Sequence, residues 1–101
     1  MSGEHMWAAD VIVMPKPGVN DPQGEAIRSG LHMLGYAGVE HVRSGRFIQL
    51  TLQADDAESA QSAVAAMCEQ LLANPVIETY QASVTEVIDN YDRDGSIAEE
   101  T

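Results

Sequence analysis

The residue types that most often carry protein chemistry are sparse in this chain. It has one cysteine, Cys68, and three histidines, His5, His32 and His41, without a C-x-x-C motif or the spacing of a metal site. No glycine-rich loop has nucleotide-binding spacing, and no serine or cysteine lies in a recognisable nucleophile motif. Cys68 falls on the apolar stripe of a predicted helix, where a small core residue is expected. We therefore predict no catalytic, cofactor-binding or metal-ligating residue in this chain.

One acidic stretch near the C-terminus follows part of the pattern of a calcium loop. From Asn90 to Ile97 it places side-chain oxygens at loop positions one, three and five, followed by Gly95 and then an apolar residue at position eight. The pattern lacks the ligands that contribute most to calcium affinity, since Asn90 replaces an acid and Thr101 stands where a bidentate glutamate is required. We therefore interpret residues 89–101 as a solvated, mobile acidic tail rather than a metal site.

The charge of the chain narrows the classes of partner. The formal net charge of −11 argues against nucleic acids and anionic membranes. Residues 16–46 hold four basic and three acidic residues, whereas residues 47–101 hold eleven acidic residues and Arg93 alone as a base. This asymmetry fits either ordinary surface charge or a docking patch. A single cysteine and the lack of a long apolar run lead us to expect a cytoplasmic protein.

The first half of the chain predicts a strand, a rigid loop and a helix. The apolar residues from Trp7 to Met14 predict a strand, which the following prolines end because they cannot donate ladder hydrogen bonds. Asp21-Pro22 is typical of a helix start, and the helix should extend to about Leu34. Gly35 suits the left-handed position beyond its end, and Gly30 suggests close approach of this helix to a sheet.

The second half predicts a hairpin, a second helix and a last strand. The segments Val39–Arg43 and Arg46–Ala54 predict two strands joined by a tight turn at Ser44-Gly45. Asp55, at capping-box spacing from Glu58, should open the second helix, which Asn74-Pro75 ends. The last strand should run from Val76 to Val84, with an extension to Ile88 allowed. The buried stripe of the second helix is expected to comprise Ala60, Val64, Met67, Cys68, Leu71 and Leu72.

This order predicts an α+β, ferredoxin-like βαββαβ fold. It should form one domain over residues 1–88, with a four-stranded antiparallel sheet and both helices on one face, followed by the acidic tail. The opposite sheet face would then expose apolar side chains in a monomer. We therefore expect a homodimer, or a higher oligomer, that covers this face or pairs the sheet edges. The side chains expected on the open face are Ile12, Met14, Phe47 and Tyr80.

Four segments of the chain carry a family resemblance: VIVMPKPGVNDPQGEAI from Val11, LGY from Leu34, VRSGR from Val42, and MCEQLLANPVIETY from Met67. Together they resemble the PurS family, the small subunit of phosphoribosylformylglycinamidine (FGAM) synthase in purine biosynthesis. The resemblance spans roughly Val11 to Val84. Arg46 stands where the family often carries lysine, which keeps the charge but adds a planar hydrogen-bonding fork.

The resemblance implies an assembly subunit of a carbon–nitrogen ligase rather than an independent catalyst. In such complexes a PurL-type synthetase uses ATP and magnesium to activate formylglycinamide ribonucleotide (FGAR), and a PurQ-type glutaminase releases ammonia from glutamine. PurS-like dimers are expected to bridge the two and to support ammonia transfer. This chain would itself bind no cofactor.

Partner-docking residues are expected in the rigid loop after the first strand and in the predicted hairpin. Prolines in that loop would lower the entropy lost when it is ordered against a partner. The alternative is that the same residues only set the turn from strand to helix. Two other functional classes stay open: a small-molecule-binding regulatory module of the ACT-like type, and a weak stand-alone enzyme. The residues expected to dock are Lys16, Gly18, Asp21, Gln23, Arg43 and Arg46.

Overall fold

The computed structural model describes residues 5–87, which form a three-stranded sheet and two helices. The C-terminal stretch with partial calcium-loop spacing and the predicted tail, residues 89–101, lie outside the described residues. In chain order the elements are β1 (His5–Pro15), α1 (Pro22–Met33), β2 (Arg46–Ala54), α2 (Ala57–Met67), a π-helical turn (Cys68–Leu72) and β3 (Glu78–Glu86).

The sheet has the order β2-β1-β3, and β1 pairs antiparallel with both neighbours. Val11, at its centre, lies opposite Ile48 of β2 and Ala82 of β3. This is the order that a ferredoxin-like topology gives to its first, third and fourth strands. The prediction of an α+β chain with an antiparallel sheet and two helices is therefore confirmed at this level.

The core lies between one face of β1 and α2. Alternate residues of β1 point to this face, and Val11 and Val13 are fully buried. They pack against Val64 and Cys68 of the second helical segment, which are also fully buried. The apolar side chains of the outer strands are only partly buried against this core: Ile48, Leu50 and Leu52 on β2, and Tyr80, Ala82 and Val84 on β3.

The predicted strand at Val39–Arg43 does not form, so within residues 5–87 the sheet has three strands rather than four. The reason lies in where the backbone carbonyl groups of this segment find partners. Arg28 Nε donates to the carbonyl of Glu40 at 3.0 Å, and His32 Nε2 lies 2.7 Å from the carbonyl of Val39. Side chains of α1 therefore bond to backbone carbonyl groups that the sequence pattern predicted to form hydrogen bonds within a sheet.

The prediction that both helices cover one sheet face is wrong for α1. This helix has almost no packing against the other helices and strands, whereas α2 packs on the sheet. A Cβ atom added at Gly30 would meet nothing within 4 Å, so no close helix–sheet approach occurs there. Instead α1 and the return segment 34–45 form an arm that extends from the sheet, and we call residues 22–45 the arm.

Several local predictions are confirmed, whereas others are wrong by one or two residues along the chain or by the sheet face on which a side chain lies. Asp21 caps α1 and Pro22 is its first residue, while Gly35 adopts a positive φ of 102°. Asp56, not Asp55, caps α2 by accepting a hydrogen bond from the Ser59 amide at 2.8 Å. Tyr80 packs against the core rather than lying on the open sheet face. The last strand starts two residues later than predicted.

Candidate partner-docking surface

Asp21 joins the start of α1 to the far end of the arm. Its Oδ1 accepts a hydrogen bond from the Gly24 amide at 3.0 Å, which caps the helix. Its Oδ2 accepts a second bond from the Ser44 amide at 2.9 Å. These bonds, first the one from Ser44, and the charge of Arg43 lower the pKa of the Asp21 carboxyl. The carboxylate thus fixes both ends of the arm at one point beside the sheet.

Two glycines allow the backbone to pass close to this point. Gly18 has a φ of +83°, a conformation that side chains with a Cβ atom rarely adopt, so it sets the turn after Pro17. Gly24 is the only buried residue of α1, and a Cβ atom there would lie 2.5 Å from both the Val42 carbonyl oxygen and Asp21 Oδ2. The contact between the helix and the return segment therefore requires glycine at position 24.

A cleft of about 450 Å³ opens between the loop after β1 and the return segment. Its charged lining is mixed: Lys16 and Arg43 face Asp21, Glu25 and Glu40. The Arg43 guanidinium already donates to the Pro15 carbonyl at 2.8 Å, so part of its role is to attach the arm to the end of β1. This balance of charge suits a polar contact with a protein better than it suits binding of a free anion.

Arg46 lies on the other side of the loop and links three segments. Its guanidinium donates to the Leu72 carbonyl at 2.6 Å and to both carboxylate oxygens of Glu78, at 3.0 and 3.2 Å. Glu78 Oε1 also accepts a bond from the Asn74 amide at 2.7 Å. The hydrogen bonds from Arg46 and then from Asn74 lower the pKa of the Glu78 carboxyl. We call this set of four residues the Arg46 clamp.

The structure brings the six expected docking residues together around one loop. Lys16, Gly18, Asp21 and Arg43 line the first cleft, and Asp21, Gln23 and Arg46 line a second of about 410 Å³ on the opposite side of the loop. Three of them, Asp21, Arg43 and Arg46, have hydrogen-bonding roles within the chain, and Gly18 sets a turn. Lys16 and Gln23 make no side-chain hydrogen bond among the described residues. Whether any of the six contacts a partner stays a prediction.

Sequence reasoning missed a second exposed feature, on the turn between α2 and β3. Leu71 was expected in the core but is 82% exposed, and Val76 is 77% exposed. The cause is the π-helical turn, in which the Ala73 amide bonds to the Cys68 carbonyl and changes the helical phase. The sequence signal was the pair of adjacent leucines before Asn74-Pro75, because only one of the two can continue the buried stripe.

The described residues hold no group of three or more histidines, cysteines and carboxylates that could bind a metal ion. Burial raises the pKa of the Cys68 thiol, which disfavours the thiolate that a nucleophile requires. The Tyr80 hydroxyl donates to Glu69 Oε2 at 2.9 Å, and this bond raises the pKa of the tyrosine. No helix in residues 5–87 has the length and apolar character needed to cross a membrane.

Comparison with known proteins gives a consistent family. The family model "PurS: Phosphoribosylformylglycinamidine (FGAM) synthase" matches residues 8–86. The phosphoribosylformylglycinamidine synthase subunit PurS of Synechocystis is 46% identical over 84 residues, which cover 83% of this chain and 84% of that protein. The PurS subunit of Bacillus subtilis is 42% identical, over 82% of this chain and 98% of that one.

Solved structures agree with the sequence comparisons. The B. subtilis PurS structure matches with a TM-score of 0.71 at 41% identity, and covers 79% of this chain and 99% of that one. A chain of the PurLQS structure from Thermotoga maritima matches with a TM-score of 0.68 at 34% identity, over 81% and 98% of the two chains. With the family model spanning most of the described residues, these matches show that the chain belongs to the PurS family and is a subunit of FGAM synthase, a ligase of purine biosynthesis.

Proposed function

We propose that this chain is a non-catalytic assembly subunit that bridges the synthetase and glutaminase subunits of FGAM synthase. The observation that carries the proposal is the match to PurS chains over nearly their whole length, one of them from a PurLQS structure. The hydrogen-bonded turns around Asp21 and the exposed apolar side chains of the described residues support the same role.

The proposed role follows from the chemistry of ammonia. The glutaminase subunit releases ammonia, and the synthetase subunit consumes it in the ATP-dependent conversion of FGAR and glutamine to FGAM and glutamate. In bulk water near neutral pH ammonia is mostly ammonium, which has no free electron pair for attack. A bridging subunit that keeps the two sites aligned therefore limits loss of the nucleophile. ATP and magnesium act at the synthetase in this proposal, and no ligand to either is expected from this chain.

Two of the expected docking residues indicate where this chain would contact a partner subunit. Lys16 and Arg43 present positive charge from a chain that is strongly acidic elsewhere, so we assign them to an acidic patch on one of the partners. The double variant Lys16→Ala/Arg43→Ala should weaken complex assembly on a sizing column. Arg43→Ala alone separates the two contributions, because it removes the bond to Pro15 but leaves the charge of Lys16 in place. Unchanged assembly of the double variant would refute this assignment.

Reconstitution tests the function itself. The synthetase and glutaminase are assayed with and without this chain, using either glutamine or excess ammonium as the nitrogen donor. The chain should be required with glutamine and dispensable with ammonium, because excess ammonium bypasses transfer between the sites. If the chain changes neither rate, the assembly role is wrong.

A further inference from the structure

The turn between α2 and β3 exposes apolar side chains that the packing of residues 5–87 leaves uncovered. Leu71 is 82% exposed, Val76 is 77% exposed and Ile77 is 41% exposed. All three lie outside α1 and outside the three strands. Large apolar side chains that are grouped on a surface commonly mark a contact with another molecule. We call residues 71–77 the exposed turn.

Internal hydrogen bonds hold the exposed turn in one conformation. The Ile77 amide donates to the Asn74 carbonyl at 3.0 Å, and the Val76 amide donates to Asn74 Oδ1 at 3.1 Å. The Arg46 clamp holds the start of the turn, because its guanidinium donates to the Leu72 carbonyl at 2.6 Å. A turn ordered in this way loses little conformational entropy on binding, so its apolar side chains are pre-organised for a contact.

The exposed turn continues the second cleft of the candidate docking surface. The Lys16 amide donates to the Ile77 carbonyl at 2.8 Å, which attaches the turn to the loop after β1. Ile77 and Glu78 line this cleft together with Gln23 and Arg46, which are two of the expected docking residues. The apolar turn and the polar cleft thus form one surface, on the opposite side of the loop from the first cleft.

Charge distinguishes the two sides of this loop. The first cleft presents the basic side chains of Lys16 and Arg43, which suit an acidic patch. Residues 68–78 contain two acidic residues and no basic one, and Glu78 is balanced by its ion pair with Arg46 at 3.0 Å. The exposed turn therefore offers no positive charge to the same patch. Its chemistry fits an apolar pocket on a protein surface instead.

From these observations we infer that the two sides of the loop contact different subunits of the complex. The exposed turn inserts into an apolar pocket of the subunit that Lys16 and Arg43 do not engage. One chain then holds both partners through a single ordered loop, which gives the proposed bridge its geometry. The inference rests on the proposed function and adds to it the chemistry of the second contact and the residues that make it.

Photo-cross-linking in the assembled complex tests this division. The variants are Leu71→p-benzoylphenylalanine in the exposed turn and His41→p-benzoylphenylalanine in the first cleft, and mass spectrometry identifies the products. Position 71 should cross-link to one of the two partner subunits and position 41 to the other. Cross-links from both positions to the same subunit, or none from position 71 to either subunit, would overturn the inference. A wild-type chain that joins neither subunit would refute the proposed function and this inference with it.

Truncation of the apolar side chains measures their contribution to binding. Leu71→Ala/Val76→Ala should raise the dissociation constant for the subunit that cross-links to position 71 by about tenfold or more, and should leave binding of the other subunit unchanged. Ile12→Ala is the control, because it removes an exposed aliphatic side chain from the opposite face of the sheet and should change neither constant. Circular dichroism checks that each variant is folded. No loss in the double variant, or an equal loss for both subunits, would overturn the inference.

Discussion

Two charged side chains in this protein connect segments that are far apart in sequence. Asp21 links the start of α1 to Ser44, and Arg46 links β2 to the carbonyl of Leu72 and to Glu78. In both cases a backbone group that lacks a ladder or helix partner is satisfied by a side chain. Neither link can be inferred from local sequence, since the partners are 23 and between 26 and 32 residues away.

The Arg46 clamp should make stability depend on pH. The folded state lowers the pKa of Glu78 below its ordinary value of 4.5, so the clamp stabilises the fold fully above that value and loses its effect as pH falls through the folded-state pKa. Arg46→Ala should therefore lower the urea midpoint at pH 7 and have much less effect near pH 3.

Arg46→Lys isolates the contribution of the guanidinium fork. Lysine keeps the charge but cannot contact Leu72 and both Glu78 oxygens with the same geometry, so an intermediate midpoint is expected at pH 7. The comparison variant is Arg28→Ala, whose main bond is to the Glu40 carbonyl and whose exposed 3.6 Å ion pair with Glu25 contributes little, so a much smaller loss of effect in acid is expected. If Arg46→Ala lowers the urea midpoint by the same amount at pH 7 and near pH 3, the role of Glu78 is contradicted.

At the scale of the elements, the π-helical turn sets which leucine enters the core. Val64 and Cys68 lie one helical turn apart on the buried stripe, and regular continuation would bury Leu71. The extra residue of the π-helical turn instead directs Leu72 toward the core and Leu71 outward.

Two alanine variants measure this change of phase. Leu72→Ala should lower the free energy of unfolding by about 2 kcal/mol, because it removes apolar contacts with the core. Leu71→Ala should change it by less than about 0.5 kcal/mol, because the side chain is already in water. Urea titration of the isolated chain gives both values. Equal costs, or a larger cost for Leu71, would mean that the helix continues without the π-helical turn.

Local signals account for the elements that were predicted well. Asp21-Pro22 starts a helix through its own side chains, and the alternation in β1 and β2 reflects one buried face. The segment Val39–Arg43 also alternates and ends in Ser44-Gly45, so it resembles a hairpin strand. Its conformation depends on hydrogen bonds from α1 side chains and on whether α1 packs against the sheet. These tertiary contacts cannot be read from the sequence of the segment itself.

The candidate docking surface was likewise predicted only in part from the sequence. Sequence reasoning placed four of the expected docking residues in the loop after β1, whose prolines and glycine define a turn in any context. It placed Arg43 and Arg46 in a predicted hairpin, and the structure brings all six around the loop. It could not foresee that Asp21, Arg43 and Arg46 bond within the chain, since those bonds depend on how the arm lies against β1 and β3. Lys16 and Gln23 are thus better candidates for direct contact with a partner.

At the scale of the whole molecule, α1 has almost no packing against the sheet. Apolar side chains stay exposed on both, since Leu34 at the end of α1 is 75% exposed and Phe47 on β2 is 57% exposed. The arm carries two basic and two acidic residues, whereas residues 55–87 carry six acidic residues and no basic one. A homodimer that covered part of this apolar surface would add to the stability of the fold.

Stability should therefore depend on protein concentration. If unfolding separates the two chains of the expected homodimer, the midpoint temperature of the wild-type chain should rise by about 3 °C for each tenfold increase in concentration. Calorimetric scans over a hundredfold range of concentration measure this slope. A wild-type midpoint that does not move, together with a monomeric mass, would show that the arm is stable without a second copy.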